Sequence, residues 1–218
     1  MKLALCISAS ALALFAWAGI SESSAADGRS LSKVNGSIRA ESGQHYETLN
    51  TVNGNVRVES GATADEAKAV NGQIVLERDS RIGTVSTVNG SLRIGEGAAV
   101  TREASTVNGA VSLAQNARVN GDVSTVSGEI ELRGAEVTGS LNSVNGDIEL
   151  TEGARVRGGI HIRKNRQSNW DWGNKPPRVF ICSTCVVEGE LRFERAVELR
   201  VEQGARIGRV VGDDVIRR

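Results

Sequence analysis

Apolar and polar positions alternate in short runs that recur along most of this chain at a nearly fixed interval. Val34-Asn35-Gly36 returns as Val52-Asn53-Gly54, Val70-Asn71-Gly72, Val88-Asn89-Gly90, Val107-Asn108-Gly109, Val126-Ser127-Gly128 and Val144-Asn145-Gly146. The steps between the valines are 18, 18, 18, 19, 19 and 18 residues. After each glycine comes an apolar pair two apart: Ile38 and Ala40, Val56 and Val58, Ile74 and Leu76, Leu92 and Ile94, Val111 and Leu113, Ile130 and Leu132, Ile148 and Leu150. Period two is the signature of a strand with one covered face. A second apolar position follows at Ile82, Val100, Val119, Val137 and Val156, each two residues after a small one: Ser80, Ala98, Ala117, Ala135 and Ala154.

One copy of this unit makes two or three short strands and cannot bury its apolar side alone. Stacking the copies solves that, because each rung covers the next. The pattern therefore predicts an all-β chain, a parallel β-helix (β-solenoid) of about 18 residues per rung, with rungs about 4.8 Å apart. Val144, Leu150, Val156 and Ile162 lie six apart, as do Val70, Leu76, Ile82 and Val88, which predicts a triangular section of three hexads per turn. Glycine two places after the valine and the tolerated 19-residue rungs favour a right-handed path. The repeated valines are expected to form one inner column, so that Val107→Asp would bury a charge.

Asn-Gly should mark a corner, with glycine free to take positive φ and leaving room where the chain bends. Stacked in register, Asn35, Asn53, Asn71, Asn89 and Asn108 would bond amide to amide, a ladder interrupted at Ser127 and resumed at Asn145. Thr51, Thr87, Thr106, Thr125 and Ser143, with Ala69 breaking the row, are read as an outward column beside it. Thr-x-Asn would then present flat polar rows, suited to strands or to matching a regular surface.

The repeat fades after Ile162. A polar insertion at about 163–178 holds Trp170, Trp172 and the chain's two prolines, Pro176 and Pro177. On a protruding loop the tryptophans would be recognition anchors, flanked by Arg166, Lys175 and Arg178 for anionic groups, with His161 pointing outward beside the insertion as a further candidate binding residue. Folded back, they would shield the rod. Val179, Cys185, Leu191 and Val197 restore the six-residue step, so the rod resumes for about nine or ten turns in all. Cys182 and Cys185 fit a local disulfide in an oxidising compartment. A redox pair, a zinc site and two buried free thiols are the competing readings.

Met1-Lys2, the apolar run Leu3–Ile20 and Ser24-Ala25-Ala26 have the form of a secretory signal peptide over residues 1–26. Residues 27–218 are then a single exported β-helix domain, in the periplasm or at the cell surface, with no integral membrane segment in the mature chain. The 218 residues include 25 Gly and 2 Pro, too little of either for collagen. Lys+Arg and Asp+Glu both number 26, so net charge argues against nucleic acid as a partner.

No serine elbow, phosphate loop or zinc-protease helix motif is found, and no catalytic, metal-ligating or cofactor-binding residues are assigned. Ser86-Thr87-Val88-Asn89-Gly90-Ser91-Leu92-Arg93-Ile94 and its copy from Ser143 to Leu150 resemble the adhesin-type repeat family of bacterial envelope proteins. Gly153-Ala154-Arg155-Val156-Arg157-Gly158-Gly159-Ile160 is similar to the bactofilins, polymer-forming proteins with a right-handed β-helical core. The resemblance covers about residues 31–162 and returns over 179–210. It implies a non-enzymatic scaffold or adhesin-like module of the envelope, with self-association through the rod ends or an envelope glycan or protein as partner. A glycan-binding module using the tryptophan loop or the Thr/Asn face is the alternative, and a carbohydrate-active enzyme the third reading.

Overall fold

The computed structural model describes residues 29–164, 175–212 and 214–217. Within them the chain winds as a parallel β-solenoid, each strand pairing with its equivalent one rung earlier and one rung later. One sheet stacks ten strands: Ile38–Ala40, Val56–Val58, Ile74–Leu76, Leu92–Ile94, Val111–Leu113, Ile130–Arg133, Ile148–Thr151, Arg178–Ile181, Val197–Val201 and Val215–Arg217. Ten rungs at about 4.8 Å make a rod of about 43 Å. The alternating pairs point inward as the period requires, and a single core runs from Ile38 to Leu199.

The other two sides are one bent ribbon at first. His45–Asn53, Thr63–Asn71 and Arg81–Asn89 are nine-residue strands that wrap both sides. From the fifth rung the ribbon splits, into Ala99–Val100 and Ala104–Asn108, then Arg118–Val119 and Val123–Ser127. The cause is one added residue. Ile82 aligns with Val100 and Val85 with Ala104, so three residues, Thr101 to Glu103, stand where Gly83 and Thr84 stood. A strand with an extra residue cannot keep its pleat in register, and the ladder breaks there. Arg102 lies back across the join, donating to the Asp65 carbonyl and to Thr84 Oγ1, both at 2.8 Å.

The valines do not form the expected inner column. Val34 is 67% exposed and Val107 38%, while Thr51, Thr87, Thr106 and Thr125 are buried to 4% exposure or less, with Ser143 at 1%. The phase of the strand explains it. Val85-Thr87, Ala104-Thr106 and Val123-Thr125 are pairs two apart whose first member is core, so the threonine must face the core too. The valine and asparagine after it lie on the outside of the corner. Each buried hydroxyl has an acceptor: Thr51 Oγ1 donates to the Gly36 carbonyl at 3.1 Å, Thr87 to Gly72 at 3.1 Å, Thr106 to Gly90 at 3.0 Å and Thr125 to Gly109 at 3.3 Å. The outward Thr-x-Asn face is thereby corrected to a row of asparagines and half-covered valines, with the threonines satisfying the corner carbonyls from inside.

Positive φ, expected at the corner, is taken there by Gly36 at 116° and Gly128 at 152°, whereas Gly54, Gly72, Gly90, Gly109 and Gly146 are required because the previous rung passes too close for a side chain. A Cβ on Gly90 would lie 1.9 Å from the Gly72 carbonyl oxygen, and one on Gly109 would lie 2.0 Å from that of Gly90. Left-handed backbone recurs more regularly at the next corner. There tight turns carry Gly43 at φ 71°, Gly61 at 70° and Gly97 at 67°, the last two just before the buried Ala62 and Ala98. Asp79 and Asn116 take the same role at 57° and 60°, as short polar side chains tolerate.

Candidate functional site

The asparagine ladder exists over five rungs. Each Nδ2 donates to the Oδ1 one rung earlier: Asn53 to Asn35 at 3.1 Å, Asn71 to Asn53 at 2.9 Å, Asn89 to Asn71 at 2.9 Å and Asn108 to Asn89 at 3.0 Å. Ser127 ends it. Asn145 does not resume it, because its Oδ1 accepts from Arg195 Nη1 at 2.6 Å. The insertion accounts for that change. Ile162 is in register with Ser143 and Val179 with Ile148, so sixteen residues, 163–178, stand between them where four, 144–147, stand one rung earlier. Arg195, one rung further on, reaches across the displaced corner and also contacts the Val144 carbonyl at 3.3 Å.

The foot of this excursion is well tied. Arg178 donates from Nε and Nη2 to Asp147 Oδ2 at 2.9 and 2.7 Å, and its backbone N–H to Oδ1 at 2.8 Å. The sequence offered its guanidinium to an anionic ligand; the fold gives it to a carboxylate of the rod. Pro177 is buried, and its carbonyl accepts from the Glu198 N–H at 3.0 Å. Lys175 is exposed. Arg166, Trp170 and Trp172 lie outside the described residues. His161 projects from Ile160–Ile162, between Asn142 and Arg192 on adjacent rungs. Burial, then Arg163 and Arg192, pull its pKa below the usual imidazole value against Asp122 and Glu190. It is thus disposed to be neutral.

Cys182 and Cys185 form a disulfide. It closes a turn in which the Cys185 N–H donates to the Cys182 carbonyl at 3.0 Å. Val186 pairs with Arg155, so Cys185 occupies the small-residue column beneath Ala154. Neither Ser183 nor Thr184 takes positive φ. The covalent link closes a corner that glycine, aspartate or asparagine closes elsewhere.

Acidic side chains gather on the ten-stranded sheet. Glu131 stands beside Glu149 on the next rung, and Glu129 precedes Ile130 as Asp147 precedes Ile148. Burial, then Glu149, Glu131 and Asp147, push the Glu129 carboxyl above its ordinary value, with Arg178 opposing. A raised folded pKa means that this contribution to stability is complete below the unfolded carboxylate pKa. It is lost as pH rises through the folded one. Glu129→Gln should therefore stabilise the rod at pH 7, by about 0.2–1 kcal/mol for like charges on neighbouring strands. The gain should disappear near pH 3.5, below the carboxylate range. Melting curves of both proteins at the two pH values check this.

A second charged array was not foreseen from the sequence. On the side made of the two-residue strands, the outward position runs Arg81, Ala99, Arg118, Glu136, Arg155, Val186, Arg206, one residue per rung. Arginine thus recurs on every second rung. The signal sits in the residue before each second-corner apolar position. That position varies between copies, whereas a repeat is recognised by what its copies share. Two shallow depressions of about 300 and 310 Å³ lie on this side and meet at Arg155. Gly134, Gly153 and Gly208 line them, leaving their walls low.

Among the described residues no cluster of three or more His, Cys, Asp or Glu side chains is placed to hold a metal ion. No helix there is long and apolar enough to cross a membrane. The chain matches no family model, no curated protein and no solved structure.

Proposed function

We propose that this protein is a non-enzymatic scaffold of the bacterial cell envelope, a stiff rod that displays its sides and the 163–178 loop to an envelope partner. The observation that carries this is one continuous core from Ile38 to Leu199, backed by a ten-stranded parallel ladder along one side. Bending such a rod means breaking main-chain bonds on one side, so whatever it carries is held at a fixed spacing. The signal-peptide form of residues 1–26 supports export, and the resemblance of the repeats to adhesin-type envelope proteins supports an envelope setting.

A second reading, end-to-end association, has one observation of its own. On the last rung Ile216 is 48% exposed, and Ala205, Ile207, Val210 and Val215 are only partly covered. Unpaired strand edges at a rod end can template a further copy.

The test joins cell fractionation to sedimentation. The full chain, expressed in a Gram-negative host and tagged at its C-terminus, should be recovered from the periplasmic or envelope fraction. The purified protein should keep a monomer mass over a wide concentration range. Recovery from the cytoplasm with an uncleaved N-terminus would overturn the envelope setting. Growth into long species would replace lateral display with end-to-end stacking.

A further inference from the structure

We propose that the arginine-bearing side is a docking groove for a linear acidic polysaccharide carrying a negative charge on every second sugar. The proposal goes beyond the scaffold reading and uses a different face from the asparagine ladder.

Spacing is the first argument. Arg81, Arg118, Arg155 and Arg206 are each two rungs apart along one straight column. Parallel rungs repeat at about 4.8 Å, so the cations recur at about 9.6 Å over a line of about 29 Å. An extended glycan advances by about the same distance in two pyranose units. A carboxylate or sulfate on alternate sugars would therefore meet one arginine after another without either partner bending.

Availability is the second. Several exposed arginines elsewhere on the rod are held at short range, Arg39 by Glu59 at 2.9 Å, Arg57 by Glu77 at 2.8 Å and Arg178 by Asp147 at 2.7 Å, while Arg93 has no ion pair among the described residues but stands apart from the column. In this column Arg118 and Arg155 have only long contacts, 3.9 Å to Glu136 and 3.8 Å to Glu188. Arg81 and Arg206 have no ion pair among the described residues. Glu136 is already taken by Arg157 at 2.7 Å, which leaves its neighbours unquenched. Around the two depressions stand four arginines, Arg118, Arg155, Arg157 and Arg206, against two glutamates, Glu136 and Glu188. Guanidinium forks suit carboxylate and sulfate oxygens, and are lightly hydrated enough to give up water to them.

Shape is the third. The depressions fall between consecutive arginines, one from Arg118 to Arg155 and the other from Arg155 to Arg206. Each could seat the sugar that carries no charge. Val186 gives the second an apolar floor, and Glu136 offers the first an acceptor for hydroxyls. Single-stranded nucleic acid fits poorly. Its phosphates repeat more closely, its bases need aromatic platforms, and among the described residues no aromatic side chain lines either depression.

Titration of the full chain with glucuronate–N-acetylglucosamine oligosaccharides of increasing length tests the proposal. Galacturonate oligomers, charged on every sugar, neutral dextran oligomers and oligo-dT serve as comparison ligands. Affinity for the alternating series should rise with each disaccharide until four charges are engaged, and then level off. Arg118→Gln and Arg155→Gln should each weaken binding about tenfold, with melting temperatures unchanged because both side chains are exposed. No binding by the wild type, or equal binding by wild type and the glutamine variants, would overturn the groove assignment. Tighter binding of galacturonate oligomers or oligo-dT at equal charge would overturn the alternating glycan in favour of general polyanion or nucleic-acid capture. None of these outcomes depends on where the protein resides or whether it polymerises, so the scaffold reading stands or falls separately.

Discussion

Gly90→Ala is expected to destabilise the rod by about 3 kcal/mol or more, a large cost for one methyl group. The methyl carbon would lie 1.9 Å from the Gly72 carbonyl oxygen and 2.5 Å from its carbon. Both are main-chain atoms, so no side-chain rotation relieves the clash. Separating the two rungs would break the ladder on either side, where the Gly90 N–H donates to Asn108 and that of Gly72 to Asn89. Gly43→Ala is the control. Gly43 has φ 71° and nothing within 4 Å of an added Cβ, so its cost is left-handed strain alone, roughly 1–2 kcal/mol. Urea unfolding of the two variants separates stacking from conformational strain. Equal losses would show that the corner glycine is needed only for its backbone freedom.

The second large effect lies within a single rung. Leu113→Asp puts a carboxylate at a position with no exposed surface, among apolar neighbours and without a partner. A loss of about 4 kcal/mol or more is expected, enough to leave the rod unfolded or opened at that rung. Val107→Asp, on the same rung, should change stability by no more than about 0.5 kcal/mol, because Val107 faces solvent beside the asparagine ladder. Circular dichroism and thermal melting of the pair decide it. A collapsed Val107→Asp protein beside a sound Leu113→Asp one would put the valine inside and the leucine outside.

The contrast between those valine and leucine positions shows what was legible beforehand. Period-two alternation after each glycine placed Ile74, Leu76, Ile130 and Leu132 in the core, and burial agrees at every one of them. The same rule, run backwards from Thr106 to Ala104, turns the threonine inward. Reading valine as apolar and threonine as polar gave the opposite assignment, because composition was allowed to outweigh phase at a corner. A buried hydroxyl is acceptable there only because a glycine carbonyl one rung earlier needs a donor, and that geometry appears once the rungs are stacked. The asparagine ladder was legible because identical residues at a fixed step must fall in register. The fate of Asn145 was not, since its partner Arg195 comes from 50 residues later, beyond an insertion that removes one corner.

The sequence alone determined the architecture: parallel rungs, their approximate number, their register and the column of asparagines. In a solenoid the contacts of each residue are set by its position within the repeat, so periodicity carries the tertiary information. Which residues share an outer face across rungs of unequal length was decided only by the folded chain. One extra residue at 101–103 splits a bent ribbon into two sides, and the 163–178 excursion later lengthens a single turn. Arg81, Arg118, Arg155 and Arg206 nevertheless lie on one line, although the chain between them runs 37, 37 and then 51 residues. Strand pairing aligns them because hydrogen bonds count rungs, and residues inserted within one turn add length without adding a rung.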